Sequence, residues 1–271
     1  MISDRMRQVY GDSAKPANVA YACLCPAGQR LTPAVLSISD VASEHDLRRL
    51  FPRGLPERAV GWRSRLEHAG VGRGSSHFSL DTYRDEFGVD AACMRFYRLG
   101  SEWARVSRSE RSDLVLFGPN GTTKTGLAVS LLRASVERGD TVRFLDLATL
   151  AQLWRETFDD RSDISTSDLT SALVDVDVLV VDEVGGGNLT DFVTSTLTML
   201  VNRRQQNARP TVLTLNVPAY DAAGAPIEDL NEYLLAMFGP TLFDRLRERA
   251  QFWPMVGGSR RKRPDERRAA R

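Results

Sequence analysis

Residues 118–125, GPNGTTKT, combine side chains that suit the binding of a phosphate group. Gly118 and Gly121 permit a sharp turn in which backbone N–H groups converge on an anion. Lys124 supplies a positive charge for terminal phosphates, and the Thr125 hydroxyl can bind the magnesium ion that accompanies them. This spacing before a helix predicts a phosphate-binding loop, with a plain strand-to-helix turn as the alternative.

Position 123 departs from the loop pattern G-x-x-x-x-G-K-[ST], because threonine occupies the place of the second glycine. Thr123 removes no N–H donor from the loop. Its side chain is expected either to crowd the phosphate or to force a less favourable backbone conformation. Weaker binding or slower hydrolysis of the nucleotide would follow.

Two carboxylates, Asp182 and Glu183, end a second apolar stretch, VDVLVVDE. One carboxylate in this place orients the ligands of magnesium, and the other polarises water for attack on a γ-phosphate. Asn216 ends the following strand and is suited to bridge that water and the phosphate, with a turn residue before Pro218 as the alternative. Loop and carboxylates together predict hydrolysis of ATP with Mg²⁺ as cofactor.

The elements that must hold these residues alternate between strand and helix from residue 113 onward. Apolar runs such as DLVLFG, TVRFLD and VDVLVVDE predict strands, and TGLAVSLLRASVE has the apolar spacing of a helix. We therefore predict an α/β domain with a central, mostly parallel sheet flanked by helices and preceded by a smaller N-terminal region. The predicted divisions are 1–105, an ATPase domain at 106–258 and a basic tail at 259–271.

Composition excludes several classes of protein. The 271 residues carry a formal net charge of +1, although the tail has seven basic against two acidic residues and can contact phosphates. No apolar run approaches the roughly 20 residues of a membrane helix. The N-terminus also lacks the apolar core of a signal peptide, so we predict a cytoplasmic protein without membrane contact.

The three cysteines lack the spacing of a disulfide framework, which favours a reducing compartment. Cys23 and Cys25 stand one residue apart, but a zinc site needs four ligands. The other candidate ligands are scattered along the chain: His45, His68, His77 and Cys93. We therefore predict buried thiols rather than zinc, and the histidines form no catalytic set.

Taken together, these motifs resemble those of the AAA+ ATPases of the DnaC, DnaI and IstB group over about residues 78–261. The resemblance rests on the segments LVLFGPNGTTKTGLAVSLL, VRFLDLATLAQLWRETFDD, LVDVDVLVVDEVG, RPTVLTLNVP and FDRLRERA. It implies a P-loop NTPase fold of the AAA+ (ASCE) type, ATP and Mg²⁺ as ligands, and self-association into a ring or spiral.

The resemblance also implies a role for each matching residue. The implied catalytic residues are Glu183, Asn216 as sensor 1 and Arg245 as an arginine finger for a neighbouring subunit. The implied nucleotide-binding residues are Gly118, Pro119, Asn120, Gly121, Thr122, Thr123, Lys124, Thr125, Asp182 and Arg261. Thr125 and Asp182 would hold magnesium, and Arg261 would be sensor 2, a place that Arg260 takes if the alignment has no gap.

Four positions match those that line the DNA channel of DnaC-like loaders: Arg155, Phe158, Thr190 and Phe192. An arginine can meet phosphate while an aromatic ring stacks on a base of single-stranded DNA without reading sequence. The alternative is that Phe158 and Phe192 are core residues of their helices.

The function implied by the resemblance is that of an ATP-dependent helicase loader. Such a protein assembles on single-stranded DNA and delivers a replicative, DnaB-like hexameric helicase during initiation of DNA replication. The N-terminal region would bind this partner. Two alternatives stay open: an IstB-like transposition ATPase that assembles on duplex DNA and recruits a transposase, and a nucleotide-gated adaptor that hydrolyses little ATP.

Overall fold

The computed structural model describes residues 62–88, 90–158, 165–185, 189–217, 229–255 and 259–260. The predicted phosphate loop, both carboxylates and Asn216 lie within these ranges. The candidate zinc ligands Cys23, Cys25 and His45 lie outside them, as do Arg261 and the rest of the basic tail.

Among the described residues, five parallel strands form one sheet, which confirms the predicted α/β fold. The strands are β1 (Asp113–Gly118), β2 (Val142–Asp146), β3 (Val178–Val184), β4 (Thr211–Asn216) and β5 (Ala250–Pro254). Their order across the sheet is β2-β3-β4-β1-β5. All residues of β1 are buried, because helices cover both faces of the sheet.

The helices flank this sheet, and polar caps fix where several of them begin. They are α1 (Trp62–His68), α2 (Leu80–Phe87), α3 (Ala91–Arg105), α4 (Lys124–Glu137), α5 (Leu147–Glu156), α6 (Thr166–Asp175), α7 (Asp191–Gln206) and α8 (Leu230–Arg249). Ser79 and Ser165 close capping boxes at α2 and α6. The side chains of Asp90, Asp146 and Thr190 cap α3, α5 and α7.

Alternate strand residues face two hydrophobic cores, one on each side of the sheet. Helices α5 to α8 cover one side, where Trp154 and Phe238 are fully buried. Helices α1 to α4 cover the other side, where Tyr83 and Leu127 are fully buried. The helices before residue 106 therefore share a hydrophobic core with the sheet.

Candidate nucleotide-binding site

Most residues predicted to act on ATP lie at one edge of the sheet. This edge is formed by the carboxyl ends of three neighbouring strands, β3, β4 and β1. Gly118 at the end of β1 stands in register with Asn216 at the end of β4. Asp182 and Glu183 lie near the end of β3, on the other side of β4. Open parallel sheets bind their ligands at this edge.

A cavity of about 610 Å³ opens there. It brings together most of the predicted site residues: Asn120, Gly121, Thr122, Thr123, Lys124, Thr125, Glu183 and Asn216. Arg260 also lines the cavity, together with residues that the sequence analysis missed: His77, Phe78, Glu86, Phe87 and Thr214. The cavity is therefore built from the loop, two strand ends, the segment before α2, the last turn of α2 and Arg260.

Positive φ angles and close neighbours explain why both positions of the loop require glycine. Gly118 has a φ of +148°, and a Cβ atom there would lie 2.2 Å from the carbonyl oxygen of Met255. Gly121 has a φ of +82°, and a Cβ atom there would lie 2.3 Å from the hydroxyl oxygen of Ser259. Neither position accepts a side chain, so the loop can turn sharply at both.

Lys124 begins α4 directly after the loop, which sets the positive end of the helix dipole beside the cavity. Its ammonium group donates to the carbonyl oxygens of Gly118 at 2.8 Å and Pro119 at 2.7 Å. The Thr122 hydroxyl also donates to the Pro119 carbonyl, at 2.9 Å. These bonds hold the loop closed around a positive charge.

Thr123, the departure from the loop pattern, has a φ of +70° and a ψ of +16°. This is the left-handed conformation, which a β-branched residue rarely adopts. Of the two consequences expected from the sequence, the less favourable backbone conformation is therefore found.

A bulge in β3 turns the two carboxylates in different directions. The register with β4 shifts between Val181 and Val184, so Asp182 and Glu183 share one partner, Thr214. Glu183 has a φ of +55° and is exposed at the cavity, whereas Asp182 is buried. The Thr214 hydroxyl donates to Asp182 and accepts the backbone N–H of Glu183 at 3.0 Å. One side chain thus positions both acids.

Asp182 and its neighbours have the ligand chemistry that magnesium requires. The Thr125 hydroxyl lies 3.0 and 3.1 Å from the two oxygens of Asp182. Burial raises the pKa of Asp182 above its ordinary value, although hydrogen bonds from Thr214 and Thr125 oppose the rise. A divalent cation would favour the ionised carboxylate, and hydroxyl and carboxylate oxygens are ligands that magnesium prefers beside phosphates. The site therefore fits Mg²⁺ bound with a nucleotide.

Part of the cavity wall is aromatic. The ring centroids of Phe78 and Phe87 lie 6.4 Å apart, and that of His77 lies 4.1 Å from Phe78. A Cβ atom on Gly126 would approach the Phe78 ring to 3.3 Å, so the ring lies tightly against α4. This apolar wall beside a phosphate loop suits the flat base of a nucleotide.

Arg260 is the described candidate for sensor 2, while the assignment of Arg261 stays a prediction. The backbone N–H of Arg260 donates to the carbonyl oxygen of Gly121 at 2.9 Å. Its guanidinium pairs with Asp90, the cap of α3, at 2.5 Å. This pair lowers the pKa of the Asp90 carboxyl. Arg260 is thereby held against the phosphate loop, with a positive charge at the cavity.

Arg245 does not line the cavity of its own chain. Its side chain is 47% exposed on α8 and pairs with Glu248 at 3.4 Å. The structure therefore separates Arg245 from Glu183 and Asn216 within one chain.

The residues predicted to contact DNA include one close aromatic pair. The rings of Phe158 and Phe192 have centroids 5.1 Å apart. Phe158 is 62% exposed, so the interpretation of this residue as core is wrong, whereas Phe192 is partly buried against the core. Arg155 and Thr190 are exposed, and the Thr190 hydroxyl caps α7 two residues before Phe192.

Within the described ranges, no group of three or more His, Cys, Asp or Glu side chains could hold a metal ion by itself. Cys93 is buried and free, as predicted for this thiol. Over the same part of the chain, the search for a helix long and apolar enough to cross a membrane found none.

The parallel sheet, the phosphate loop between β1 and α4, and the paired acids at the end of β3 define a P-loop NTPase of the AAA+ class. The family described as "IstB-like ATP binding protein" matches residues 98–269. The chain belongs to this family, which confirms the resemblance to the DnaC, DnaI and IstB group.

Several curated relatives bear the name replicative helicase loader DnaC, and two of them illustrate the similarity. The protein of Escherichia coli (strain K12) is 26% identical over 142 residues, which cover 52% of this chain and 53% of that protein. The protein of Buchnera aphidicola subsp. Acyrthosiphon pisum (strain APS) is 21% identical over 196 residues, which cover 72% of this chain and 74% of the relative. The match thus spans about half the length of the Escherichia coli protein.

Solved structures share the fold. The crystal structure of the DnaC helicase loader has a TM-score of 0.58 at 20% identity and covers 68% of this chain and 100% of its own. The DnaI structure has a TM-score of 0.54 at 18% identity, with 70% of this chain and 94% of that chain covered.

Proposed function

We propose that the chain is an ATP-dependent, DnaC-like helicase loader that assembles on single-stranded DNA and delivers a replicative hexameric helicase during initiation of DNA replication. The observation that carries the proposal is a single cavity that brings together the phosphate loop, Glu183 and Asn216, with Arg245 exposed outside it. The relatives named helicase loader DnaC support the choice of role.

In the proposed site, each residue acts on ATP from a position that the fold fixes. Lys124 would hold the β- and γ-phosphates, since its ammonium already stands at the loop. Glu183 would accept a proton from the attacking water, because it is exposed at the cavity. Asn216 would orient that water from the end of the adjacent strand. Magnesium, held by Thr125 and Asp182, would neutralise charge on the phosphates.

Arg245 would complete the site of a neighbouring subunit. Its guanidinium is exposed, and its ion pair with Glu248 is a surface pair of little energetic weight. An arginine finger supplied in trans stabilises charge on the transferred phosphoryl group. Hydrolysis would therefore depend on assembly into the proposed ring or spiral, and the region before the ATPase domain would hold the helicase.

Single-stranded DNA would lie along the surface that carries Phe158. A solvent-exposed phenylalanine beside a second, tilted ring offers a face for a base, and Arg155, in the last turn of α5 three residues earlier, offers a charge for phosphate.

A second candidate is the IstB-like role, in which the chain assembles on duplex DNA and recruits a transposase. The description of the matching family favours it. A third candidate, an adaptor that binds ATP and hydrolyses little, is favoured by the left-handed backbone of Thr123.

Light scattering with ATP and Mg²⁺, with single- or double-stranded DNA of equal length, tests these roles. Large assemblies that require ATP and prefer single strands are expected, and Lys124→Ala is the control that should not form them. Filaments on duplex DNA would instead support transposition. A monomer under every condition would contradict the loader and leave the adaptor.

A further inference from the structure

Thr123 occupies a loop position whose backbone favours glycine. It directly precedes Lys124 and Thr125, so its conformation sets where the phosphate-binding helix begins. Its left-handed φ is unfavourable for a β-branched side chain, and contacts elsewhere must hold it.

The hydroxyl of Tyr83 lies 3.0 Å from the hydroxyl of Thr123, across 40 positions of sequence. Either hydroxyl can be the donor in this contact, and the Thr123 hydroxyl also lies 2.5 Å from the carbonyl oxygen of Thr122. Tyr83 is fully buried and does not line the cavity, whereas Thr123 does. The bond therefore draws the Thr123 hydroxyl towards the protein interior and away from the space that phosphates would fill.

Tyr83 is itself held in place. It lies on α2, whose first turn is fixed by the Ser79 capping box, and its ring meets that of Phe87 edge-on with centroids 5.3 Å apart. Burial raises the pKa of the Tyr83 hydroxyl above its ordinary value, although the hydrogen bond with Thr123 opposes the rise.

We propose that Tyr83 is a positioning residue of the nucleotide site, which makes a threonine workable at position 123 by holding its side chain off the phosphates. The inference rests on the proposed binding of ATP in this cavity. Tyr83 and Thr123 form a matched pair: Tyr83 matters to ATP affinity because residue 123 is threonine, and it loses that importance when residue 123 is glycine.

Four proteins test the pair: the native chain, Tyr83→Phe, Thr123→Gly and the double variant. Calorimetric titration with Mg-ATP gives each affinity, and thermal unfolding without nucleotide shows that each chain is folded. Tyr83→Phe is expected to weaken ATP binding about twofold to tenfold with threonine at 123, which is the effect of one hydrogen bond. With glycine at 123 the same change should leave affinity within the error of the measurement.

Two further variants sharpen the test. Tyr97→Phe is the matched control. Tyr97 lies on α3 and does not line the cavity, so this variant should keep native ATP affinity. Thr123→Val removes the same hydrogen bond by replacing the Thr123 hydroxyl with a methyl group, with little change of shape. It takes the place of Tyr83→Phe in the test if that variant fails to fold.

Each other outcome has a distinct meaning. Equal losses of affinity from Tyr83→Phe in the threonine and glycine backgrounds, or no loss in either, would overturn the pairing while leaving ATP binding intact. If the folded native chain and folded Thr123→Gly both failed to bind Mg-ATP, the proposed function would be overturned and this inference with it.

Discussion

The Thr125 hydroxyl lies 3.0 and 3.1 Å from the two oxygens of Asp182, across 57 positions of sequence. Thr125 lies in the first turn of α4 and Asp182 lies near the end of β3, so the contact joins the phosphate-binding helix to the acidic strand. Both groups are proposed ligands of a single magnesium ion. Their closeness means that little rearrangement is needed to hold it.

The raised pKa of Asp182 predicts a pH-dependent stability. The folded chain holds the proton of this carboxyl more tightly than the unfolded chain, so the free energy of unfolding falls as pH rises from 3.8, the ordinary pKa of an aspartate, through the raised pKa. Asp182→Asn removes this dependence and keeps an oxygen for Thr214. We expect a higher melting temperature at neutral pH, unchanged stability at strongly acidic pH, and loss of Mg²⁺-dependent ATP binding.

Asp146→Asn is the control for that experiment. Asp146 ends β2 in register with Asp182, and asparagine can replace it as a helix cap. The interpretation fails if both substitutions change the melting temperature equally, or if Asp182→Asn lowers it at neutral pH.

Loss of the Thr214 hydroxyl is expected to lower ATP turnover more than ATP affinity. Thr214→Val keeps the shape of the side chain but leaves the Glu183 N–H without its partner and removes one of the two hydroxyl donors to a buried Asp182 oxygen. That change costs about 1–3 kcal/mol, so we expect kcat to fall about tenfold to hundredfold with ATP affinity less affected. Thr214→Ser restores the hydroxyl and should recover most of the activity. Steady-state ATPase assays would decide, and equal kcat in the valine variant would remove the positioning role.

Glu183→Gln should separate ATP binding from hydrolysis. The exposed carboxylate is proposed as the base, and it holds no other described element in place through its side chain. Loss of a general base costs about a hundredfold to ten-thousandfold in rate. We expect native ATP affinity, very slow turnover and assemblies that persist in light scattering. Loss of ATP binding would show that Glu183 is not the base.

Arg245→Ala should abolish hydrolysis while each subunit still binds nucleotide. The side chain is exposed and lies outside its own cavity, so its removal leaves that cavity unchanged. Mixing Arg245→Ala with Lys124→Ala should restore part of the activity, because native Lys124 and native Arg245 then meet at mixed interfaces. Arg247→Ala on the same helix is the control and should hydrolyse ATP normally. Full activity of Arg245→Ala would identify it as a surface residue.

The sequence predicts the site wherever a local pattern carries the chemistry. Apolar runs that end in Gly118, Asp182 and Asn216 predict three parallel strands, and such strands bring their carboxyl ends to one edge. The identity of the loop follows in the same way, because glycine, lysine and threonine stand at fixed spacing in one segment. For Thr123, the residue type predicts two alternatives, and the left-handed φ of the structure decides between them.

Contacts between distant segments could not be predicted in this way. Thr214 acts through a bulge that depends on how β3 pairs with β4, and its one local signal is a hydroxyl inside an apolar run. Tyr83 and Phe78 reach the site because α2 and the preceding segment pack beside α4, which no spacing encodes. The core interpretation of Phe158 was wrong because α5 ends at Glu156, and Phe158 lies in the turn that follows, where its side chain is exposed.

The ring of Phe158 is expected to bind single-stranded DNA by stacking on a base. Its ring is 62% exposed and lies beside that of Phe192, so Phe158→Ala removes an accessible face without opening the core. Stacking of one base contributes about 1–3 kcal/mol, so we expect single-strand affinity in the presence of ATP to fall about tenfold to hundredfold. Val106→Ala removes another exposed apolar side chain and should leave that affinity unchanged. Fluorescence anisotropy with a labelled oligonucleotide measures both variants, and equal affinities would place the DNA on another surface.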